Sequence, residues 1–181
     1  MNKIPMIKTT RLLLRPWHED DLTPFAELNS DPEVMKYFPA LMTVQESNAS
    51  VSRIKDDWQH GYGLWAAEVR ESEGFIGFIG FSQPRWEASF TPCIEIGWRL
   101  SSSSWGQGLA TEGAQAALHW AKQNVTFPRN EVLSFTSTMN HRSRRVMEKL
   151  GMTHEEIDDF DHPLFPQWPG RRHVLYRMRI S

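Results

Sequence analysis

The spacing of apolar residues changes period several times along the chain, and each change marks an element. Leu12, Leu13 and Leu14, bracketed by Arg11 and Arg15, predict a strand over 11–15 that stops at Pro16. Residues 19–29 carry helical spacing, with Pro24 disturbing its regularity. Asp31-Pro32 is a cap followed by a proline suited to a first helical position, which predicts a short second helix. Thr43 and Glu46 form a capping box, and Val51, Ile54 and Trp58 fall on one face of the helix it opens.

Two strands, 64–70 and 75–81, follow as a hairpin around Glu71-Ser72-Glu73-Gly74. Residues 83–92 hold Pro84, Trp86 and Pro92 and read as a loop. Strands are next expected at 93–100 and 131–138, separated by a helix over 111–124. A strand, helix and strand in that order need a right-handed crossover, so this pair should be parallel. Asn140 caps a further helix with Val146, Met147 and Leu150 as its apolar stripe and Gly151 at its end. The last strands are expected at 152–157 and 173–180. Antiparallel hairpins first and alternating strands and helices later imply an α/β chain with a mixed sheet and helices on both faces.

Composition narrows the classes. Forty per cent of the 181 residues are apolar and eight are tryptophan, which suits a folded globule. No linker or repeat divides the sequence, so one domain over 1–181 is expected. A formal charge of −2 gives no broad basic field for nucleic acid. The one cysteine, Cys93, forbids an internal disulfide and fits a reducing compartment. No signal-peptide core is present, and no apolar run approaches the ~20 residues that span a bilayer. The expectation is a cytoplasmic protein with no membrane association, either monomer or homodimer. The histidines and the cysteine show no metal-ligand spacing.

Candidate chemistry begins at Trp105-Gly106-Gln107-Gly108-Leu109-Ala110-Thr111, where a strand-exit loop becomes a helix. Glycines and alanine there leave backbone N–H groups accessible at the positive end of a helix dipole, a seat for phosphate. Downstream lies Asn140-His141-Arg142-Ser143, continuing through Glu148-Lys149-Leu150-Gly151-Met152. Together, in this order and spacing, the two motifs resemble those of the GNAT superfamily of N-acetyltransferases. The Trp-Gly-x-Gly-x-Ala-Thr-Glu form, the opening Thr10-Arg11-Leu12-Leu13-Leu14-Arg15 and the closing His173-Val174-Leu175-Tyr176-Arg177 resemble its ribosomal-protein (RimJ/RimL-type) branch. The likeness runs from residue 9 to residue 179.

The resemblance implies a mostly antiparallel mixed sheet of about 6–7 strands, with a splayed parallel pair where acetyl-CoA enters. It implies that the backbone of Trp98, Arg99 and Leu100 pairs with the pantetheine arm while residues 105–111 hold the diphosphate. Gln107 and Thr111 are expected to add polar contacts. Trp105 stands where many members have Gln or Arg, which leaves binding more dependent on backbone donors. Asn140 is expected to hold a pantetheine amide, with helix capping as the alternative. Many members place a tyrosine as acid seven residues after this asparagine; here it is Met147, and Ser143 is the candidate donor to the leaving thiol. A first-turn serine satisfying a helix N–H is the alternative. The basic residues Arg142, Arg144, Arg145 and Lys149 form either a solvated face or a contact to the 3′-phosphate.

Period 2 along 93–100 puts Ile94, Ile96, Trp98 and Leu100 on one face and Cys93, Glu95, Gly97 and Arg99 on the other. Glu95 is the candidate general base; an ion pair with Arg99 is the alternative. Cys93 reads as a small packed hydrophobe. Glu155, Glu156, Asp158, Asp159 and Asp161 precede a loop with His162, Trp168 and several prolines. This acidic and aromatic segment is either an amine-attracting wall of the acceptor site or a solvated turn, with His162 and His173 as reserve bases. The expected reaction is direct acetyl transfer from acetyl-CoA to a primary amine, on a peptide N-terminus or a small molecule. A small-molecule or antibiotic acetyltransferase and a non-catalytic acyl-CoA-binding module are the rival readings. A dinucleotide oxidoreductase fits poorly, because the full Gly-x-Gly-x-x-Gly fingerprint is absent.

Overall fold

In the computed structural model, which describes residues 4–180, the sheet runs unbroken from the first strand to the last. Its strands are β1 (Ile7–Lys8), β2 (Leu12–Arg15), β3 (Leu64–Val69), β4 (Gly74–Ser82), β5 (Glu95–Leu100), β6 (Glu131–Ser137), β7 (Thr153–His154), β8 (Phe160–Asp161) and β9 (Arg172–Arg179). Spatial order is β1-β2-β3-β4-β5-β6-β9-β7, with β8 also on β9. Every pairing is antiparallel except β5 with β6. The two strands beyond the seven expected, β1 and β8, are two-residue pieces too short to carry a periodic signal.

Helix α1 is Leu22–Ser30, α2 Val44–Asp57, α3 Leu109–Asn124 and α4 His141–Lys149. Pro24 falls in the first turn of α1, where its missing N–H has no partner to lose. Asp31-Pro32 opens turns, not the second helix its sequence suggests. Asp31 does cap a single turn, its Oδ1 accepting from Glu33 N at 2.8 Å and its carbonyl from Met35 N at 2.9 Å, but the chain does not propagate that turn into a helix. Thr43 and Glu46 make the expected capping box. Gly151, at φ 83°, closes α4, and the Met152 N–H reaches back to the Met147 carbonyl.

Alternation divides the core between the two faces. Leu12, Leu14, Trp65, Ile79, Ile96 and Leu100 pack against Leu109, Ala114, Ala117 and Leu118 of α3. Ala66 joins Phe25, Leu28, Val51 and Ile54 of α1 and α2 on the opposite face. Below α1, Arg15 is bonded to both Asp21 oxygens at 2.8 Å and to Glu68 at 2.6 Å, a buried guanidinium satisfied on every side. All eight tryptophans are buried or half-buried. No helix among the described residues is long and apolar enough to cross a membrane.

Candidate acyl-transfer site

Strands β5 and β6 meet at one register pair, Glu95 with Leu133, where Leu133 N donates to the Ile94 carbonyl at 3.0 Å. Beyond it β5 runs on to Leu100 and β6 to Ser137 without pairing each other. The wedge between them opens into a cleft of about 730 Å³ lined by both strands, the 105–111 loop and α4. Backbone groups of both strands along this wedge lack a sheet partner, which suits an amide-bearing chain inserted between them.

At the wedge mouth, Gly106 (φ 74°) and Gly108 (φ 79°) adopt the left-handed conformation that glycine enters without strain. Gly108 caps α3, and its carbonyl takes the Glu112 N–H at 3.0 Å. The N–H groups of Leu109, Ala110 and Thr111 therefore have no intrahelical acceptor. Together with the dipole of the sixteen-residue helix α3, they form an anion seat whose bareness fits a diphosphate. Glu112 would oppose an anion there, but Thr9, the Arg11 backbone and the Arg11 side chain bind it at 2.7–2.8 Å. Burial alone would raise its carboxyl, yet these donors hold it below the usual carboxylate range.

Side chains in this loop mostly serve the loop itself. Gln107 Nε2 donates to the Ser103 carbonyl at 3.0 Å, and its own carbonyl accepts from Arg11. The Gln107 side chain thus braces the turn. Trp105 spends its indole N–H on the Leu100 carbonyl at 2.9 Å, and the Arg142 guanidinium lies 4.6 Å from its ring centroid. Arg142, Arg145 and Lys149 line the cleft, while Arg144 turns away to the Thr138 carbonyl.

On α4, Asn140 Oδ1 accepts from Ser143 N at 3.2 Å and Nδ2 donates to Thr136 Oγ1 at 3.0 Å. Capping therefore occupies the asparagine, although it still lines the cleft. Ser143 lines it too, and its hydroxyl makes no hydrogen bond among the described residues. Met147 is 1 % exposed in the core, so its position cannot present any donor to the cleft.

The other wall lies on the α1–α2 side of the sheet. Antiparallel register sets Arg99 opposite Phe78, Gly97 opposite Gly80 and Glu95 opposite Ser82. Glu95 is open to the cleft on one side and closely packed on the others. Burial drives its carboxyl up to about 8, and a 3.4 Å bond from Ser82 Oγ offsets only part of that. Arg99 does not pair with it. Its Nη1 donates to Asn29 Oδ1 at 2.7 Å, and its guanidinium lies 4.1 Å from the Phe38 centroid and 5.5 Å from that of Phe78. Burial pulls its pKa down to about 10.

Aromatic rings close the far end. Trp86, Phe135, His162, Phe165, Trp168 and His173 line it, with Trp86 and His162 5.0 Å apart and His162 and His173 5.3 Å apart. Burial pushes His162 down to about 4, the neighbouring His173 adding to the effect, and His173 is lowered for the same first reason. Both rings are neutral near pH 7. The acidic segment is not in this wall: Asp158 binds Arg177, Asp159 binds His154, and Asp161 binds Arg171 and Arg172. Cys93 packs with Phe90, Leu133 and Leu175, its thiol pushed up to about 12 by burial and nearby carboxylates.

Sequence reasoning missed Ser82, Asn29, Phe38 and Phe78, because no short-range pattern gives the register across β4–β5 or the course of turns 31–43. The Arg11–Glu112 brace joins two motifs whose contact neither announces alone.

Comparisons with known proteins agree with this geometry. Residues 11–153 match the model of an acetyltransferase (GNAT) domain. The chain is 34 % identical to the FsC-acetyl coenzyme A-N(2)-transacetylase of Aspergillus fumigatus, covering 88 % of this chain and 70 % of that one. A GNAT-family acetyltransferase structure from Bacillus anthracis superposes with TM-score 0.78 at 25 % identity, over 97 % of this chain and 98 % of that one. RimL, a ribosomal-protein α-N-acetyltransferase solved with coenzyme A, superposes at 0.76 with 17 % identity over 97 % and 98 % of the two chains. At that identity the likeness is one of fold.

Proposed function

Because the chain belongs to the GNAT acetyltransferase family, an acetyl-CoA-dependent N-acetyltransferase activity is its premise, and we propose that the acceptor is an α-amine or an amine of similar basicity. Acetyl-CoA supplies the activated acyl carbon and a thiolate leaving group. Trp98, Arg99 and Leu100 would align the pantetheine arm along the open edge of β5. The N–H groups of residues 106–111 would hold the diphosphate, and Arg142, Arg145 and Lys149 would add charge around it.

Glu95 would take the proton from the attacking amine, directly or through one water. The observation that carries this reading is the place of Glu95 in the cleft, at the register pair where β5 and β6 part, with burial raising its carboxyl to about 8. An α-amine has a pKa of about 8, so donor and acceptor are matched, whereas a lysine amine near 10.4 would hold its proton. Ser143, whose hydroxyl is free of protein partners, would donate to the departing sulfur. Holding the two reactants in line contributes on the order of 7–11 kcal/mol in well-oriented systems, and this is the main effect asked of the cleft.

Two acceptors fit an α-amine. A peptide N-terminus is supported by the fold shared with RimL, in keeping with the sequence's RimJ/RimL-like motifs. A small molecule is supported by the higher identity to the fungal N(2)-transacetylase. The neutral aromatic end of the cleft suits the apolar body of either. A thiol-release assay with acetyl-CoA over matched α-amines, ε-amines and polyamines tests the reading. Turnover confined to ε-amines or polyamines would overturn it, and coenzyme A binding without transfer to any amine would favour a binding module.

A further inference from the structure

Arg99 is the unbalanced charge of the cleft. Its guanidinium is stacked between Phe38 and Phe78 and held by one neutral amide, Asn29. Asn29 is in turn fixed by Ser47 at 2.9 Å, and both are fully buried. The Arg99 Nε is enclosed with no partner, and Nη2 makes no hydrogen bond among the described residues. No ion pair reaches this half-buried arginine among those residues, in contrast to Arg15, which is buried and has two carboxylates. Enclosing a cation without a counter-charge is costly unless the counter-charge arrives with a ligand.

The diphosphate is not that ligand. Its seat is at the start of α3, which packs on the Ile96 and Leu100 face of β5, whereas Arg99 reaches Asn29 of α1 on the other face. Resting on the acetyl-transfer reading above, we propose that the acceptor amine carries an oxyanion, a carboxylate or phosphate, which Arg99 holds while the amine reaches Glu95. Glu95 and Arg99 each stay over their own rung, next to Ser82 and Phe78, with Gly80–Gly97 between them. Four residues along a strand are roughly 13 Å. Allowing roughly 3 Å for a hydrogen bond at each end, about 7 Å is left between the amine and the anion, or about two residues' length of chain lying across the glycine floor. A free α-amino acid is too short; a short peptide with a terminal carboxylate, or one carrying a phosphate at that distance, fits, while an ω-amine of lysine-like basicity serves only as a probe of the anion site.

Calorimetry with coenzyme A present tests this without turnover. Trialanine is compared with trialanine amide, and 6-aminohexanoate and 6-aminohexyl phosphate with 6-aminohexanamide. The native protein should bind the anionic member of a pair at least about tenfold more tightly, as expected of a charge-assisted hydrogen bond. The phosphate and carboxylate arms tell which oxyanion is preferred. Arg99→Gln should abolish the preference and Arg99→Lys retain part of it. Equal binding of charged and neutral members overturns the proposal, as does a loss in Arg99→Gln of coenzyme A affinity in place of the anion preference. A preference that persists when no amine is acetylated would keep this inference and remove the catalytic one.

Discussion

Glu95 and Arg99 lie on the same face of one strand and ignore each other: Glu95 bonds Ser82, and Arg99 bonds Asn29. The obvious ion pair of the sequence is thus absent. Burial penalises the ionised form of each, so near neutrality Glu95 holds its proton, whereas Arg99, lowered only to about 10, stays cationic.

The first consequence is a pH–rate profile. Glu95 accepts a proton only when ionised, so kcat/KM should rise with pH until about 8 and then level. An α-amine acceptor titrates nearby in the same sense, giving a limiting slope of about two below both values. Glu95→Gln should cut kcat about 100-fold or more and reduce that slope to about one. An unchanged profile in the variant would remove Glu95 from the proton path.

The same raised carboxyl predicts a stability effect with a defined sign. A carboxyl whose folded pKa exceeds its unfolded value favours the folded state below the unfolded pKa, and that contribution is lost as pH rises through the folded one. Between about pH 4.5 and 8 the native protein should therefore lose stability relative to Glu95→Gln. Thermal melts of the two at pH 4 and pH 9 check it: the variant should gain on the native protein at the higher pH.

Asn140 and Ser143 should separate cleanly. Asn140→Ala removes a cap and a bond to Thr136, and should cost about 1 kcal/mol in chemical denaturation; its KM for acetyl-CoA should also rise. Ser143→Ala removes a hydroxyl with no protein partner, so stability should stay within about 0.5 kcal/mol while kcat falls. A larger stability loss in Ser143→Ala would count against its role.

Two glycines facing each other across β4 and β5 should behave oppositely. A Cβ on Gly97 would meet only Glu95 Oε1, at 3.9 Å, so Gly97→Ala should fold normally and raise the acceptor KM. Gly80 has φ +151° and no room beside the Gly63 carbonyl, so Gly80→Ala should be destabilised outright. Melting temperatures and steady-state kinetics on the pair give the answer directly.

Glu112 should matter for the loop without touching ligand. Its donors depress its pKa, so its contribution is present at neutral pH and fades as pH falls through the carboxylate range. Glu112→Ala should lower stability by about 1–2 kcal/mol at pH 7, discounted for its partial exposure, with the gap narrowing as pH falls below the usual carboxylate range. Urea midpoints across that range test the sign.

How much of this was readable beforehand depends on the range of the interaction. Caps and periodicity are local, so the Thr43 box, the α4 stop at Gly151 and the strand faces of 93–100 follow from neighbouring residues. The parallel β5–β6 pair follows from connection length and handedness. Asp31-Pro32 misleads because its cap to Glu33 N and one helical bond, from Met35 N to the Asp31 carbonyl, do form, yet the chain turns on without propagating them. The acidic run after Glu155 misleads because its counter-charges, Arg171, Arg172 and Arg177, come from the far side of a loop. Candidate site residues on one strand or one helix turn were legible. Their partners across the sheet were not, since register is fixed by packing on both faces at once.

The single rung between Glu95 and Leu133 has a mechanical consequence. Between β5 and β6 the ladder is one register pair long, although a shared core packs behind both strands, and whatever fills the gap above that pair acts as a splint between them. Amides of residues 134–137 facing the gap should exchange with deuterated solvent faster in the empty protein than in one saturated with coenzyme A. Stiffness in this half of the molecule would then be something the substrate brings with it.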